Sequence, residues 1–417
     1  METTQNGQPR IVVTGLGALT PLGTLEPFWQ NLKEGNSGIR RITQFDSQDL
    51  GVKIAGEVDF EPREYIDPKS ARRMARASQM ALIAVRMALD DAGLNYEKVA
   101  DEGDRVGVSI GTANAGFGKL VDIAYQYTYH GRKPFPTALV NGLPNMPGYY
   151  VSLEMGATGP LTTISTACAS GTQSIGYGME LIRSGKADLV FAGGVDCLIR
   201  KEVMAAFDAM TVLARSSNDV PEKASRPFDS NRDGFVLGEG AGIFVLESLD
   251  QALQRNAHIY AEMLGHAASS NAHHIATPDE EGLGAQKAMR WALEDAHLIP
   301  DQVDYINAHG TGTRINDPTE TKAIKKVFGG SAYQIPISST KSMIGHCMGA
   351  SGTVEAIACV MSLEHGILHP TINLDTPDPE CDLDYVPNQA RDVKIQTALS
   401  NSFGLGGQNA CLVFGRI

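Results

Sequence analysis

At 417 residues, 42% apolar and 20% charged, the chain is too long for one small core and suits two fused units of about 200 residues each. The net charge of −13 argues against a nucleic-acid partner, which needs a basic surface. No apolar run approaches the roughly 18 residues of a membrane span, and the polar start Met1–Arg10 carries no signal segment, so no membrane and a cytoplasmic location are expected.

In chain order, Ile11-Val12-Val13 reads as a first strand. Ala84–Leu94 has helical period and leads into the apolar strand Val106–Gly111. The interval Gly116–Tyr150 has no counterpart later in the chain and reads as an insertion suited to an interface or a lid. Leu161–Thr166 is β-rich, and the helix after it places Ile175, Met179 and Ile182 on one face before stopping near Gly185. Leu189–Ala192 and Ile243–Leu246 are unbroken apolar runs, the pattern of sheet covered on both faces. The charged stretch Glu247–His258 reads as the boundary between a unit spanning 10–250 and one spanning 259–417.

The second unit echoes the first. Ala288–Leu298 repeats Ala84–Leu94 almost residue for residue and leads into the strand Val303–Ala308. Ile337-Ser338-Ser339-Thr340 precedes Ala350-Ser351-Gly352-Thr353 much as Ile164-Ser165-Thr166 precedes Ala169-Ser170-Gly171-Thr172, and each helix then runs to a glycine, Gly366 or Gly185. Two echoes in matching order imply duplication, hence two similar α/β units packed in layers.

Six cysteines (168, 197, 347, 359, 381 and 411) lack metal-type spacing, and no metal site is expected. Cys168 stands apart because it falls where a strand gives way to a helix. Convergent N–H groups and the positive helix end should lower its thiol pKa and could hold an oxyanion. Small Ala, Ser and Gly neighbours leave room for a substrate. His309, in Asn307-Ala308-His309-Gly310-Thr311-Gly312-Thr313, and His346, in Lys341-Ser342-Met343-Ile344-Gly345-His346, also sit on glycine-rich loops at strand ends. Either histidine alone would read as structural; with the cysteine they form a candidate catalytic set. Cys168 and His346 hold nearly corresponding places in the two repeats, so pseudo-two-fold packing would bring them together. Other motifs fail: Asp229–Gly234 starts like a calcium loop but has Gly240 where the twelfth ligand belongs, and Gly15-Leu16-Gly17 lacks the third glycine of a dinucleotide turn.

These motifs, with Ser225-Arg226-Pro227-Phe228-Asp229, Asn373-Leu374-Asp375 and Asn401-Ser402-Phe403-Gly404-Leu405-Gly406-Gly407, make the chain resemble the β-ketoacyl-(acyl-carrier-protein) synthases of dissociated fatty-acid and polyketide systems over nearly its whole length. The resemblance implies the thiolase-like fold, two duplicated α/β halves in an α-β-α-β-α arrangement, and decarboxylative condensation of an acyl chain with a malonyl thioester. By the same resemblance Cys168 is the acylated nucleophile and His309 and His346 promote decarboxylation. Lys341 and Glu355 are the supporting ion pair, with Glu320 nearby, and the amides of Cys168 and Phe403 form the oxyanion hole, the Phe403 ring gating entry. Thr311 and Thr313 match pantetheine contacts, Phe207 a second gate, and Asn114 the position that controls chain length.

No cofactor is expected on the enzyme itself; phosphopantetheine would arrive on an acyl carrier protein, with Lys69, Arg72, Arg73, Arg132 and Lys133 as its docking patch. A homodimer, or a heterodimer with a homologous chain-length subunit, is implied. Asn114, Leu405 and Gln408 depart from the fatty-acid pattern, and Gln408, with His309–Glu320 and Thr376–Asp382, is more similar to the polyketide branch. Two rivals share parts of this pattern. A thiolase acting on coenzyme A esters would need a second cysteine in Gly404–Asn409, which has none, and a silent partner subunit would lack Cys168.

Overall fold

The computed structural model describes residues 2–5 and 7–417. The first half contains β1 (Ile11–Thr20), α1 (Arg76–Asp91), β2 (Val106–Gly111), β3 (Leu161–Ile164), α2 (Ser170–Arg183), β4 (Leu189–Asp196) and β5 (Gly240–Ser248). The second contains β6 (Ala261–Ser270), α3 (Leu283–Asp295), β7 (Tyr305–Asn307), β8 (Ile337–Ser338), α4 (Ser351–His365), β9 (Thr397–Gly404) and β10 (Gln408–Gly415).

The duplication is legible strand by strand. The first half runs β1-β5-β4-β2-β3 and the second β6-β10-β9-β7-β8. In each, the first two pairings are antiparallel and the last two parallel. An antiparallel pairing of β1 with β6, from Val13↔Ala261 to Ile11↔Met263, joins the halves into one hydrogen-bonded path.

That path folds over on itself. Helices α2 and α4 touch each other and strands of both halves, so they form a shared middle layer; α1 covers β1, β5 and β4 from outside, and α3 covers β6 and β10. The result is the α-β-α-β-α sandwich, and the apolar strands are buried because each sheet half has helices on both faces. The repeated alanines have a packing reason. A Cβ on Gly17 of β1 would lie 2.0 Å from the Ala84 carbonyl, and one on Gly265 of β6 would lie 2.6 Å from the Ala292 carbonyl. Each outer helix thus rests its small face directly on a strand glycine.

Two boundaries differ from the sequence reading. Helix Met146–Met155 packs on α1 as Asn316–Phe328 packs on α3, so it has a counterpart, and the insertion proper carries helices Phe117–His130 and Ala138–Asn141. Glu247 is not linker: it is the penultimate residue of β5 and is buried, accepting hydrogen bonds from Thr14 and Arg255. No helix among the described residues is long and apolar enough to cross a membrane.

Candidate active site

The strand ends deliver the sequence candidates to one place. β3 runs out at Ile164, and Ala167 takes a left-handed backbone, φ 50°, before α2 begins at Ser170. Met348 does the same in the second half, φ 51°, just before α4 begins at Ser351. Ala167 and Met348 are therefore equivalent, which makes Gly349 the counterpart of Cys168 and Ser165 that of His346. The near-correspondence of Cys168 and His346 is three residues out of register. Proximity across the pseudo-dyad brings them together all the same.

The two helix starts meet closely. A Cβ on Gly171 would lie 2.2 Å from the Thr353 hydroxyl, and one on Gly352 would lie 1.8 Å from the Thr172 hydroxyl. The repeated Ser-Gly-Thr is thus a reciprocal contact, each glycine admitting the other helix's threonine. It seats the turns bearing Cys168 and Met348 side by side.

Cys168 Sγ lies 3.1 Å from His346 Nε2. The Met348 N–H donates to His346 Nδ1 at 3.2 Å, and the Ser351 hydroxyl lies 2.8 Å from the same nitrogen. An Nδ1 that accepts a backbone N–H carries no proton, so the ring proton of neutral His346 is on Nε2, facing the sulfur. His309 is arranged alike: Lys341 Nζ stands 3.4 Å from Nδ1 and donates to the His309 carbonyl at 2.7 Å. Burial first, then the Lys341 charge, holds both imidazoles well below their ordinary pKa, hence neutral. The rings meet edge to face with centroids 5.4 Å apart.

Lys341 and Glu355 form a fully buried ion pair. Burial raises the Glu355 carboxyl, and the Lys341 ammonium opposes that rise. Glu320 grips the His309 loop from behind, its two oxygens accepting the His309 and Gly310 N–H groups at 2.8 Å each.

The thiol departs from expectation. Burial pushes Cys168 up to about 11, while the Leu405 backbone N–H and the Lys341 charge pull it down. Desolvation at a fully enclosed sulfur outweighs the helix end.

A cavity of about 650 Å³ opens onto Cys168, His309, His346, Phe403, Thr311 and Thr313. The Phe403 ring lies 5.5 Å from His309, and the two threonine hydroxyls are 3.0 Å apart. Phe207 is half-buried and stacks edge-on at 5.5 Å against Phe235, which in turn abuts His346 at 5.4 Å. Asn114 is not brought to this cavity: its side chain is exposed, so the desolvation argument does not apply to it in the single chain. Lys69, Arg72, Arg73, Arg132 and Lys133 are all exposed. The helical spacing of the first three spans a single turn, because that helix stops at Ala71.

Sequence reasoning passed over Asp196. It ends β4 fully buried and accepts the N–H groups of Ala113 (2.7 Å), Asn114 (3.1 Å) and Gly349 (2.7 Å) and the Thr112 hydroxyl (2.9 Å). Burial lifts it to about 6 against those donors. A charged residue closing a buried strand at Gly193-Gly194-Val195-Asp196 was the available signal.

Comparison with known proteins agrees with this geometry. Residues 8–252 match the family described as beta-ketoacyl synthase, N-terminal domain, and residues 260–375 its C-terminal domain. A Synechocystis protein named 3-oxoacyl-[acyl-carrier-protein] synthase 2 is 46% identical over 97% of each chain, and a Staphylococcus aureus protein of that name is 44% identical over 97% of this chain and 98% of its own. Among solved structures, the ishigamide ketosynthase/chain length factor superposes with a TM-score of 0.91 at 38% identity, covering 99% of this chain and 100% of that one. A type II polyketide acyl-carrier protein in complex with its ketosynthase, bound to a hexaketide, gives 0.91 at 36%, covering 98% and 100%.

Proposed function

The chain belongs to the β-ketoacyl synthase family, and on that premise we propose that Cys168, His309 and His346 divide between them the two halves of a decarboxylative condensation. The enzyme is an acyltransferase, a 3-oxoacyl-(acyl-carrier-protein) synthase.

In the first half, Cys168 Sγ attacks the carbonyl carbon of a carrier-bound acyl thioester. The old carbon–sulfur bond breaks, the carrier thiol leaves with the proton that Cys168 gave up, and the acyl group stays on Cys168. The amide of Cys168 and that of Leu405, which already reaches the Cys168 sulfur, serve the tetrahedral oxygen; the expected Phe403 amide lies two residues earlier, within β9. In the second half, the bond from the malonyl α-carbon to its carboxylate breaks and carbon dioxide leaves. The electron pair passes into an enolate whose oxygen takes the two imidazole N–H groups. The enolate carbon attacks the acyl-Cys carbonyl, and the Cys168 sulfur departs as thiolate to be reprotonated.

One observation carries the assignment. Both Nδ1 atoms face a donor, the Met348 N–H for His346 and Lys341 Nζ for His309, which leaves Nε2 as the proton-bearing nitrogen of each neutral ring in the cavity that holds Cys168. Two neutral N–H donors suit a developing enolate oxygen better than imidazolium would, since neither gives up its proton to the product.

The substrate arrives as phosphopantetheine thioester on an acyl carrier protein, with the Thr311 and Thr313 hydroxyls beside its arm. The exposed Lys69, Arg72, Arg73, Arg132 and Lys133 supply the local positive surface an acidic carrier needs on a chain of net charge −13. A homologous chain, identical or not, pairs through the free edge of β3, beside which Tyr149, Leu153 and Leu161 are exposed. Asn114 follows β2, the strand next to that edge, so the partner would turn it into a chain-length wall. The work is cytoplasmic.

The test replaces His309 or His346 by alanine. Each variant should still accept acyl groups from the carrier yet stop releasing carbon dioxide from the malonyl thioester. Lost loading with intact decarboxylation would reverse the roles.

A further inference from the structure

A third histidine, His369, is fully buried and takes no part in the chemistry above. Its surroundings follow from strand geometry. Tyr305 and Asn307 are two apart on β7, and Ser338 and Thr340 are two apart on and just beyond the neighbouring β8, with Asn307 paired to Ser338. Residues two apart in a strand face the same way. All four point at the His369 ring: Thr340 Oγ1 lies 3.0 Å, Tyr305 Oη 3.2 Å and Asn307 Nδ2 3.2 Å from Nε2, and Ser338 Oγ lies 3.4 Å away.

The ring's tautomer is set by its other nitrogen. Nδ1 lies 3.1 Å from the Pro370 carbonyl, which can only accept, so Nδ1 bears the proton and Nε2 is an acceptor. The Asn307 amide then donates both to Nε2 and, at 2.9 Å, to Thr340 Oγ1, leaving the Thr340 hydroxyl free to donate to Nε2. Tyr305 Oη satisfies itself against Ser338 Oγ at 2.6 Å. Burial holds the imidazole down to about 4, so this arrangement persists throughout the neutral range.

The two residues tied by Nε2 are the roots of the two catalytic loops. Asn307 stands two residues before His309, and Thr340 immediately precedes Lys341. We propose that His369 is a positioning residue that fixes the His309 loop against the Lys341 turn, and so sets the spacing between Lys341 Nζ and His309 Nδ1. This inference rests on the assignment of His309 to decarboxylation. Cys168 and the Met348 turn are held by other contacts, those of Asp196 and the paired helix starts, so His369 acts on one half-reaction only.

The experiment measures carbon dioxide release and acyl loading separately for His369→Leu, His369→Gln and His309→Ala. A glutamine oxygen reaches roughly where Nε2 lies and can accept from Asn307 and Thr340; leucine fills the space without an acceptor. His369→Leu should lose on the order of 10- to 100-fold in kcat for decarboxylation, the cost typical of removing an outer partner that orients a metal-binding histidine, with KM for the malonyl carrier and the loading rate little changed. His369→Gln should restore most of it. Equal losses in both half-reactions, or no rescue by glutamine, would mean that His369 serves only the fold, and unchanged decarboxylation in His369→Leu would also overturn the inference. Decarboxylation surviving in His309→Ala would instead overturn the reading of His309. Should His369→Leu fail to fold, Thr340→Val removes one of the two bonds to Nε2 and must show the same split in smaller measure.

Discussion

Met348 donates its backbone N–H to His346 Nδ1 at 3.2 Å, and its left-handed backbone, φ 51°, is what aims that N–H. The bond puts the imidazole proton on Nε2, 3.1 Å from the Cys168 sulfur. His346 in this tautomer is a donor to the sulfur and cannot also take the thiol proton at Nε2.

That donor favours a thiolate, but burial outweighs it and holds Cys168 as a thiol at neutral pH. With burial lifting its pKa to about 11, the thiolate fraction is small at neutral pH and grows as pH rises. Alkylation of Cys168 by iodoacetamide should accelerate by about tenfold per pH unit between pH 7 and 10, as expected below a thiol pKa. A rate that levels off below pH 8 would show a thiolate already formed.

The Lys341–Glu355 pair is buried within one helix-end cluster, so breaking it strands a charge. Lys341→Met should destabilise the protein by about 3–5 kcal/mol, and its decarboxylation should fall with the loss of the donor to His309. Denaturant unfolding reads the first effect and carbon dioxide release the second. Lys341→Met combined with Glu355→Leu should recover stability and leave decarboxylation low.

Much of this architecture was legible in the sequence because duplication leaves local marks. Ala84, Ala88 and Ala92, with Ala288, Ala292 and Ala296, gave the helices that press on Gly17 and Gly265, and Ser-Gly-Thr gave both helix starts. The insertion was misjudged at its end because Met146–Tyr150 opens the helix Met146–Met155, whose counterpart, Asn316–Phe328, shares its packing and not its residues. Asp196 and His369 were passed over for a related reason: each acts through contacts between elements far apart in sequence, and neither lies in a repeat. The thiol pKa was misread because a strand–helix junction reveals a dipole and not the depth at which the sulfur is buried.

The reciprocal glycines give a sharp packing test. Gly352→Ala drives a methyl to 1.8 Å from the Thr172 hydroxyl, inside the layer shared by both halves. A loss of at least ~1–3 kcal/mol in unfolding free energy is expected, with Gly171→Ala behaving alike. Pairing Gly352→Ala with Thr172→Ala should recover a good part of it. Denaturant midpoints that match wild type would contradict the close approach.

Charge reversal at Arg72 and Arg73 should slow turnover of carrier-bound substrate several-fold and flatten its dependence on ionic strength, because exposed charges act mainly by steering. A small thioester that needs no carrier should react at the wild-type rate. Equal losses with both substrates would place these arginines in support of the fold.

The central claim is that Cys168 carries the growing chain. Peptide mass mapping after incubation with acyl carrier protein, without malonyl thioester, should find one acyl group per chain, on the peptide containing Thr166-Ala167-Cys168, and none on Cys168→Ala. An acyl adduct on Cys347 or any other residue, or full acylation of Cys168→Ala, would contradict the account.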